Sequence, residues 1–113
     1  MHEMSLCEGV LKVIEEQARV QNFSVVRRVK LEIGELSSAE PDAMELCFEA
    51  VKSSSIAAGA VLEMVRTPGR GRCRNCGTEA RLVHRFDPCP ECGAYGLQVT
   101  DGDAMRIMEL EVD

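Results

Sequence analysis

Two short cysteine pairs, Cys73-Arg-Asn-Cys76-Gly77 and Cys89-Pro-Glu-Cys92-Gly93, stand twelve residues apart in the second half of a 113-residue chain. No other feature restricts the possible folds so strongly. Each pair closes a tight loop that turns both sulfurs to one side, and the glycine after each second cysteine permits the positive φ such a turn needs. Four thiolates so placed can enclose one tetrahedral ion at about 2.3 Å per bond.

What that ion is depends on the compartment. The N-terminus has no basic region followed by an apolar stretch, so no secretory signal is read there. No apolar run approaches the ~20 residues that cross a bilayer. A cytoplasmic location with no membrane insertion is the expectation, and in a reducing cytosol paired cysteines read as metal ligands rather than disulfides. Cys-Pro-x-Cys-Gly also occurs in rubredoxin-type iron sites, but the aromatic packing usual around such iron is missing from a chain with no tryptophan and four aromatics. Zinc held by Cys73, Cys76, Cys89 and Cys92 is the favoured reading. Four protein ligands leave no open position for catalysis, so the site is read as structural. The module offers few apolar residues (Leu82, Val83, Phe86 and Leu97), so the metal must supply much of its folding energy.

Upstream, Ser5 and Glu8 have the spacing of a reciprocal helix cap. Leu6, Val10, Val13, Ile14, Gln17 and Ala18 then follow helical spacing, which predicts a helix from about Ser5 to Gln21. The period changes to two between Val25 and Ile33. Val25, Val29, Leu31 and Ile33 share one face and Arg28, Lys30 and Glu32 the other, a strand with one side buried that ends at Gly34. Pro41 suits the first turn of a second helix, with Met44, Cys47, Phe48 and Val51 as its buried stripe. Residues 53–59 read as a turn and 60–66 as a strand. Residues 68–71 (Pro-Gly-Arg-Gly) and 100–103 (Thr-Asp-Gly-Asp) read as hinges around the cysteine module. A final strand over 105–112 places Met108, Leu110 and Val112 on one face. So short a tail cannot fold alone, and its cheapest home is the sheet begun earlier. The expected fold is α+β: a small mixed three-stranded sheet with two helices, plus an inserted zinc-ribbon module. Residues 1–68 and 103–113 form the main domain and 69–102 the ribbon.

Charge divides the chain unevenly. Net charge is −6, yet residues 66–86 hold six arginines against Glu79, giving +5 there and −11 elsewhere. The arginines favour a nucleic-acid- or transcription-associated zinc ribbon; the overall acidity and the lack of aromatics among the arginines oppose it. Nothing resembles a nucleophile–base pair or a phosphate loop, so no catalysis is expected. Cys7 and Cys47 fall on helix stripes and read as small buried hydrophobes. The scattered methionines read as core and His84 as a surface residue, with a role near the metal sites as the alternative.

The chain opens Met1-His2-Glu3. His2 is too large for initiator-methionine removal, so the Met1 amine, the His2 amide and the His2 imidazole can close fused chelate rings on one ion, with a Glu3 donor completing a square. Nickel(II) favours such nitrogen-rich squares. Any chain beginning Met-His offers this, so the dipeptide decides nothing alone. The opening Met-His-Glu-Met-Ser-Leu running into a helix, the stretch 31–36 (Leu-Glu-Ile-Gly-Glu-Leu), Pro41 and the late cysteine ribbon together resemble the HypA/HybF family over the whole chain. These are nickel metallochaperones of [NiFe]-hydrogenase maturation. The resemblance implies nickel at Met1, His2 and Glu3, and zinc at Cys73, Cys76, Cys89 and Cys92. It implies that residues 1–68 and 103–113 form the nickel-binding domain. It also implies a HypB-type nickel GTPase and the [NiFe]-hydrogenase large subunit as partners, with urease as another possible recipient. Some family members carry a histidine beside the cysteine knuckles; here neither knuckle is followed by one.

Overall fold

The structure, a computed structural model, describes the backbone from His2 to Asp113 and the side chains from Glu3 onward. Helix α1 spans His2–Gln21 and so begins three residues before the expected cap at Ser5. Nothing in His2-Glu3-Met4 resists a helix, and Glu3 suits its positive end. Asn22, at φ 58°, turns the chain out of the helix in the left-handed conformation that asparagine tolerates. Cys7, Val10, Leu11 and Ile14 form the buried stripe, at the i, i+3, i+4, i+7 spacing of one helix face. Val13, expected inside, is 45% exposed.

Strand β1 covers Val26–Gly34. Val29, Leu31 and Ile33 are buried as their alternation predicts, but the strand's first buried residue is Val26, while Val25 is exposed. Glu32, placed on the polar face, is buried too, and its carboxylate accepts a hydrogen bond from the Thr67 hydroxyl at 2.7 Å. The cause is position: β1 is the central strand, so its polar face also loses solvent.

Helix α2, Pro41–Val51, begins with Pro41 in its first turn and Glu40 as N-cap, and buries Met44 and Phe48. One 3-10 turn, Lys52–Ser54, and a bend lead to β2, Val61–Thr67. Arg28 pairs with Glu63 and Glu32 with Thr67, so numbering rises together and the two strands run parallel. A parallel pair needs a crossover, which α2 supplies. The last strand of this sheet, β6 (Met105–Val112 in chain order), lies on the other side of β1. Ser24 N donates to Asp113 O at 3.2 Å and Gly34 N to Ala104 O at 2.9 Å, so that pair is antiparallel. The sheet is therefore mixed and three-stranded, and the tail returns to it. The face with Met108, Leu110 and Val112 does not bury as expected. On an edge strand, Met108 stays 47% and Val112 39% exposed, lining with Gln17, Gln21 and Phe23 a shallow groove of about 260 Å³.

The expected hinges are largely strands. Gly69–Arg72 is β3, Glu79–Leu82 is β4 and Gln98–Asp101 is β5; β3 lies between the other two, antiparallel to both. Gly69 and Gly71 serve close packing, since a methyl on Gly71 would meet Leu82 Cδ1 at 2.7 Å and one on Gly69 the Leu82 carbonyl. The core under this sheet is Leu36, Ala80, Leu82 and Leu97 with Cys73 and Cys89. Val83 and Phe86, expected in it, are 59% and 85% exposed. By packing, the chain divides into one unit of Met1–Leu31, Ala39–Met64 and Arg106–Asp113, and another of Glu32–Ser38 and Val65–Met105.

Within the second unit Gly34 abuts the Gly102 backbone so closely that a methyl would overlap the Gly102 carbonyl, whereas Gly9 on α1 has nothing within 4 Å. Gly34→Ala should lose about 1–3 kcal/mol by overpacking, and Gly9→Ala should gain up to about 1 kcal/mol of helix propensity. Denaturant unfolding reads both; equal stability of Gly34→Ala and the parent would mean that the two backbones do not meet as described.

Candidate metal centre

The two knuckles repeat one geometry. In the first, Cys73 N donates to Thr78 O at 2.8 Å and Gly77 N to Cys73 O at 2.9 Å; in the second, Cys89 N donates to Ala94 O and Gly93 N to Cys89 O, both at 2.8 Å. Gly77 and Gly93 share a φ of 76°, the left-handed turn their position after the second cysteine predicted. The first cysteine of each knuckle is buried, Cys73 and Cys89 both at 2%, and the second, Cys76 and Cys92, is exposed. Strands β3 and β4 end and begin at the first knuckle, so the hairpin between them sets its orientation.

All four sulfurs lie within 4.8 Å of one another. Cys73 Sγ is 3.6 Å from Cys92 Sγ, and Cys76 Sγ is 3.7 Å from Cys89 Sγ. A tetrahedron with ~2.3 Å metal–sulfur bonds requires sulfur–sulfur separations of about 3.8 Å, whereas a disulfide requires ~2.05 Å. The residues fit a tetrahedral ion.

The surroundings favour thiolates. Asn75 Nδ2 donates to Cys92 Sγ at 3.5 Å, and with the Ala94 amide it brings the Cys92 thiol down to about 6. The Thr78 hydroxyl, 3.2 Å from Cys76 Sγ, and the Thr78 amide lower the Cys76 thiol as well. The Cys76 amide points at Cys73 Sγ at 3.4 Å. Cys89 goes the other way: the Cys92 and Glu91 amides lower its thiol, but burial and the Cys76 and Cys73 thiols outweigh them and raise it. A thiol that is already ionised, as at Cys92, releases no proton on binding a metal. Asn75 and Thr78 were not singled out from the sequence; an amide or hydroxyl inside a knuckle was the available signal.

His84 is not part of the cluster. It stands on an exposed turn with Nδ1 3.5 Å from Asp87 Oδ1, while Asp87 Oδ2 accepts from the amides of Val83 and His84. Of the three residues expected at the N-terminal nickel site, Met1 and the His2 imidazole lie outside the described residues. Glu3 sits in the first turn of α1, and its Oε2 accepts from the Glu40 amide at 3.0 Å, which lowers the Glu3 pKa. Glu40, the residue before Pro41, is thus the neighbour of that site that sequence reasoning missed. Cys7 is fully buried, its Sγ 3.4 Å from Met44 O, and burial pushes its thiol up to about 11; Cys47 is half-buried. Cys7 is a core residue, and neither cysteine is a ligand of the described cluster.

If the sulfur cluster holds its unit together, Cys73→Ala should drop zinc content to well under one per chain and melt the amide signals of β3, β4 and β5. Those of α1 and α2 should persist. Elemental analysis with two-dimensional NMR reads both, and full zinc occupancy in the variant would mean that the ligands are misassigned.

The family model for hydrogenase/urease nickel incorporation metallochaperones, HypA, matches residues 1–112. A hydrogenase maturation factor HypA from Rhodopseudomonas palustris (strain BisA53) is 55% identical over 113 residues, and one from Alkalilimnicola ehrlichii is 54% identical over 113; both alignments cover all of each chain. The solution structure of the Ni metallochaperone HypA from Helicobacter pylori superposes with a TM-score of 0.73 at 24% identity, over 97% of this chain and 96% of that one.

Proposed function

The chain belongs to the HypA family of nickel-incorporation factors in hydrogenase maturation, and on that premise we propose that it carries Ni(II) at its N-terminus and delivers it to a [NiFe]-hydrogenase. Zinc fills the four-cysteine site. A HypB-type GTPase and the hydrogenase large subunit are its partners, and the chain itself catalyses nothing.

The observation that carries the nickel site is that α1 begins at His2. The first amides of a helix have no carbonyl one turn back to bond. The His2 amide is therefore not claimed by an intrahelical hydrogen bond and can serve as a nitrogen donor beside the Met1 amine and the His2 imidazole. The positive end of the helix favours a deprotonated, anionic amide, which square-planar nickel requires, while it opposes the dication itself. Such a balance suits a carrier that must release its ion. The Glu3 carboxylate accepts both the Glu40 amide and Glu3's own amide, so either Glu3 donor reaches nickel only when one of these contacts opens. Release follows when protonation or a partner removes one nitrogen donor.

The zinc site has no position open to a fifth ligand by the chemistry of its donor set, and serves to hold the second unit. Residues Met1–Leu31, Ala39–Met64 and Arg106–Asp113 carry the nickel site and residues 65–105 the zinc.

His2→Ala removes the only histidine on α1. Losing a direct ligand should weaken nickel binding beyond the ~10–100-fold typical of losing a supporting residue, with zinc content and melting unchanged. A tag fused before Met1 should do similar damage, because it turns the amine into an amide. Glu3→Gln should be mild if the backbone coordinates. Nickel titration by calorimetry reads all three, and parent-like affinity in the tagged and His2→Ala proteins would refute the N-terminal site.

A further inference from the structure

The two knuckles share one backbone plan, so they differ only in their side chains. In each, the amide of the second cysteine points at the first sulfur: Cys76 N at Cys73 Sγ, 3.4 Å away, and Cys92 N at Cys89 Sγ. In each, the amide two residues past the second cysteine points at that cysteine's own sulfur, Thr78 at Cys76 and Ala94 at Cys92. The side chains do not repeat. Thr78 brings a hydroxyl 3.2 Å from Cys76 Sγ, and Ala94 has none to bring. Cys92 is supplied instead from across the site, by Asn75 Nδ2 at 3.5 Å. The place equivalent to Asn75 in the second knuckle is Glu91, whose ionised side chain has no donor. Apart from contacts between the cysteines themselves, the Asn75–Cys92 bond is the only side-chain hydrogen bond joining the two knuckles among the described residues.

That bond falls where the site is open. Cys73 and Cys89 are buried while Cys76 and Cys92 are exposed, so an oxidant or a competing ligand meets the exposed two first. We propose that Asn75 is a positioning residue of this centre, one that holds Cys92 on the zinc and slows exchange of the ion. The inference rests on the reading above that the four cysteines hold zinc. An N–H donated to a thiolate draws charge from it, so the sulfur remains a ligand but becomes a poorer nucleophile. The bond also spans the site. Asn75 lies between Cys73 and Cys76 in the chain, so Cys92 cannot swing off the ion without breaking a contact to the other knuckle. Hydrogen bonds from residues behind the ligands commonly orient them in this way.

The test loads the full chain with zinc and follows its transfer to an excess of a chromophoric chelator. Asn75→Leu, close to asparagine in shape but without its donors, releases zinc about tenfold faster, the low end of the ~10–100-fold affinity loss that follows removal of a supporting residue. Asn75→Asp, which sets a carboxylate against the thiolate, releases it faster still, and Glu91→Gln stays within about twofold of the parent. In the cobalt-substituted chain, the sulfur-to-cobalt charge-transfer band of Asn75→Leu moves to lower energy, because a thiolate without its N–H gives up charge more readily. Brief alkylation of zinc-loaded Asn75→Leu, read by peptide mass, modifies Cys92 first. Parent-like release from Asn75→Leu would overturn the proposal, as would an unshifted band or first modification at Cys76. Equal acceleration by Glu91→Gln would overturn it too, since any change in a knuckle would then loosen the ion. A parent chain with no zinc to release would instead refute the four-cysteine reading on which the proposal stands.

Discussion

Four sulfurs converging within 4.8 Å cannot all ionise beside one another unless a cation stands among them. The second unit is organised around that condition. Its apolar core is Leu36, Ala80, Leu82 and Leu97, too little for an independent fold of this size. Burying an aliphatic side chain contributes roughly 1.5–3 kcal/mol, while ordering each residue costs about 1–2 kcal/mol of backbone entropy. A metal bound among the four sulfurs would supply the difference and make metal affinity and folding one equilibrium. Cys73 and Cys89, both buried, serve the core and the cluster at once.

The first unit rests on ordinary packing. Helices α1 and α2 pack against each other, with Cys7 Sγ 3.4 Å from Met44 O, and the Glu3–Glu40 hydrogen bond ties the first turn of one helix to the start of the other. The nickel site proposed at the start of α1 would gain a fixed platform from this contact.

Much of this was legible in the sequence, for identifiable reasons. The knuckle turns follow from Gly77 and Gly93, and the start of α2 from Pro41. The returning strand follows from the alternation in 105–112 and the impossibility of that tail folding alone. Other features were hidden because tertiary context decided them. Glycines 69 and 71 look like a hinge, yet they form a strand because Leu82 needs their missing side chains. Glu32 looks solvated, yet the central place of β1 buries it. Met108 and Val112 look like core, yet an edge strand leaves them partly open. Four sulfurs at tetrahedral spacing were readable from the cysteine pattern alone, while the Asn75 and Thr78 contacts that favour their thiolate forms depend on turns that only the fold displays.

The central claim is that one chain holds two metals by different means, zinc in the cysteine cluster and nickel at the N-terminus. Calorimetric titration of nickel into the zinc-loaded, untagged chain, with elemental analysis of the product, tests it most directly. The account predicts one nickel bound per chain while one zinc is retained. Nickel uptake matched by zinc loss, or no tight nickel binding at all, would contradict it.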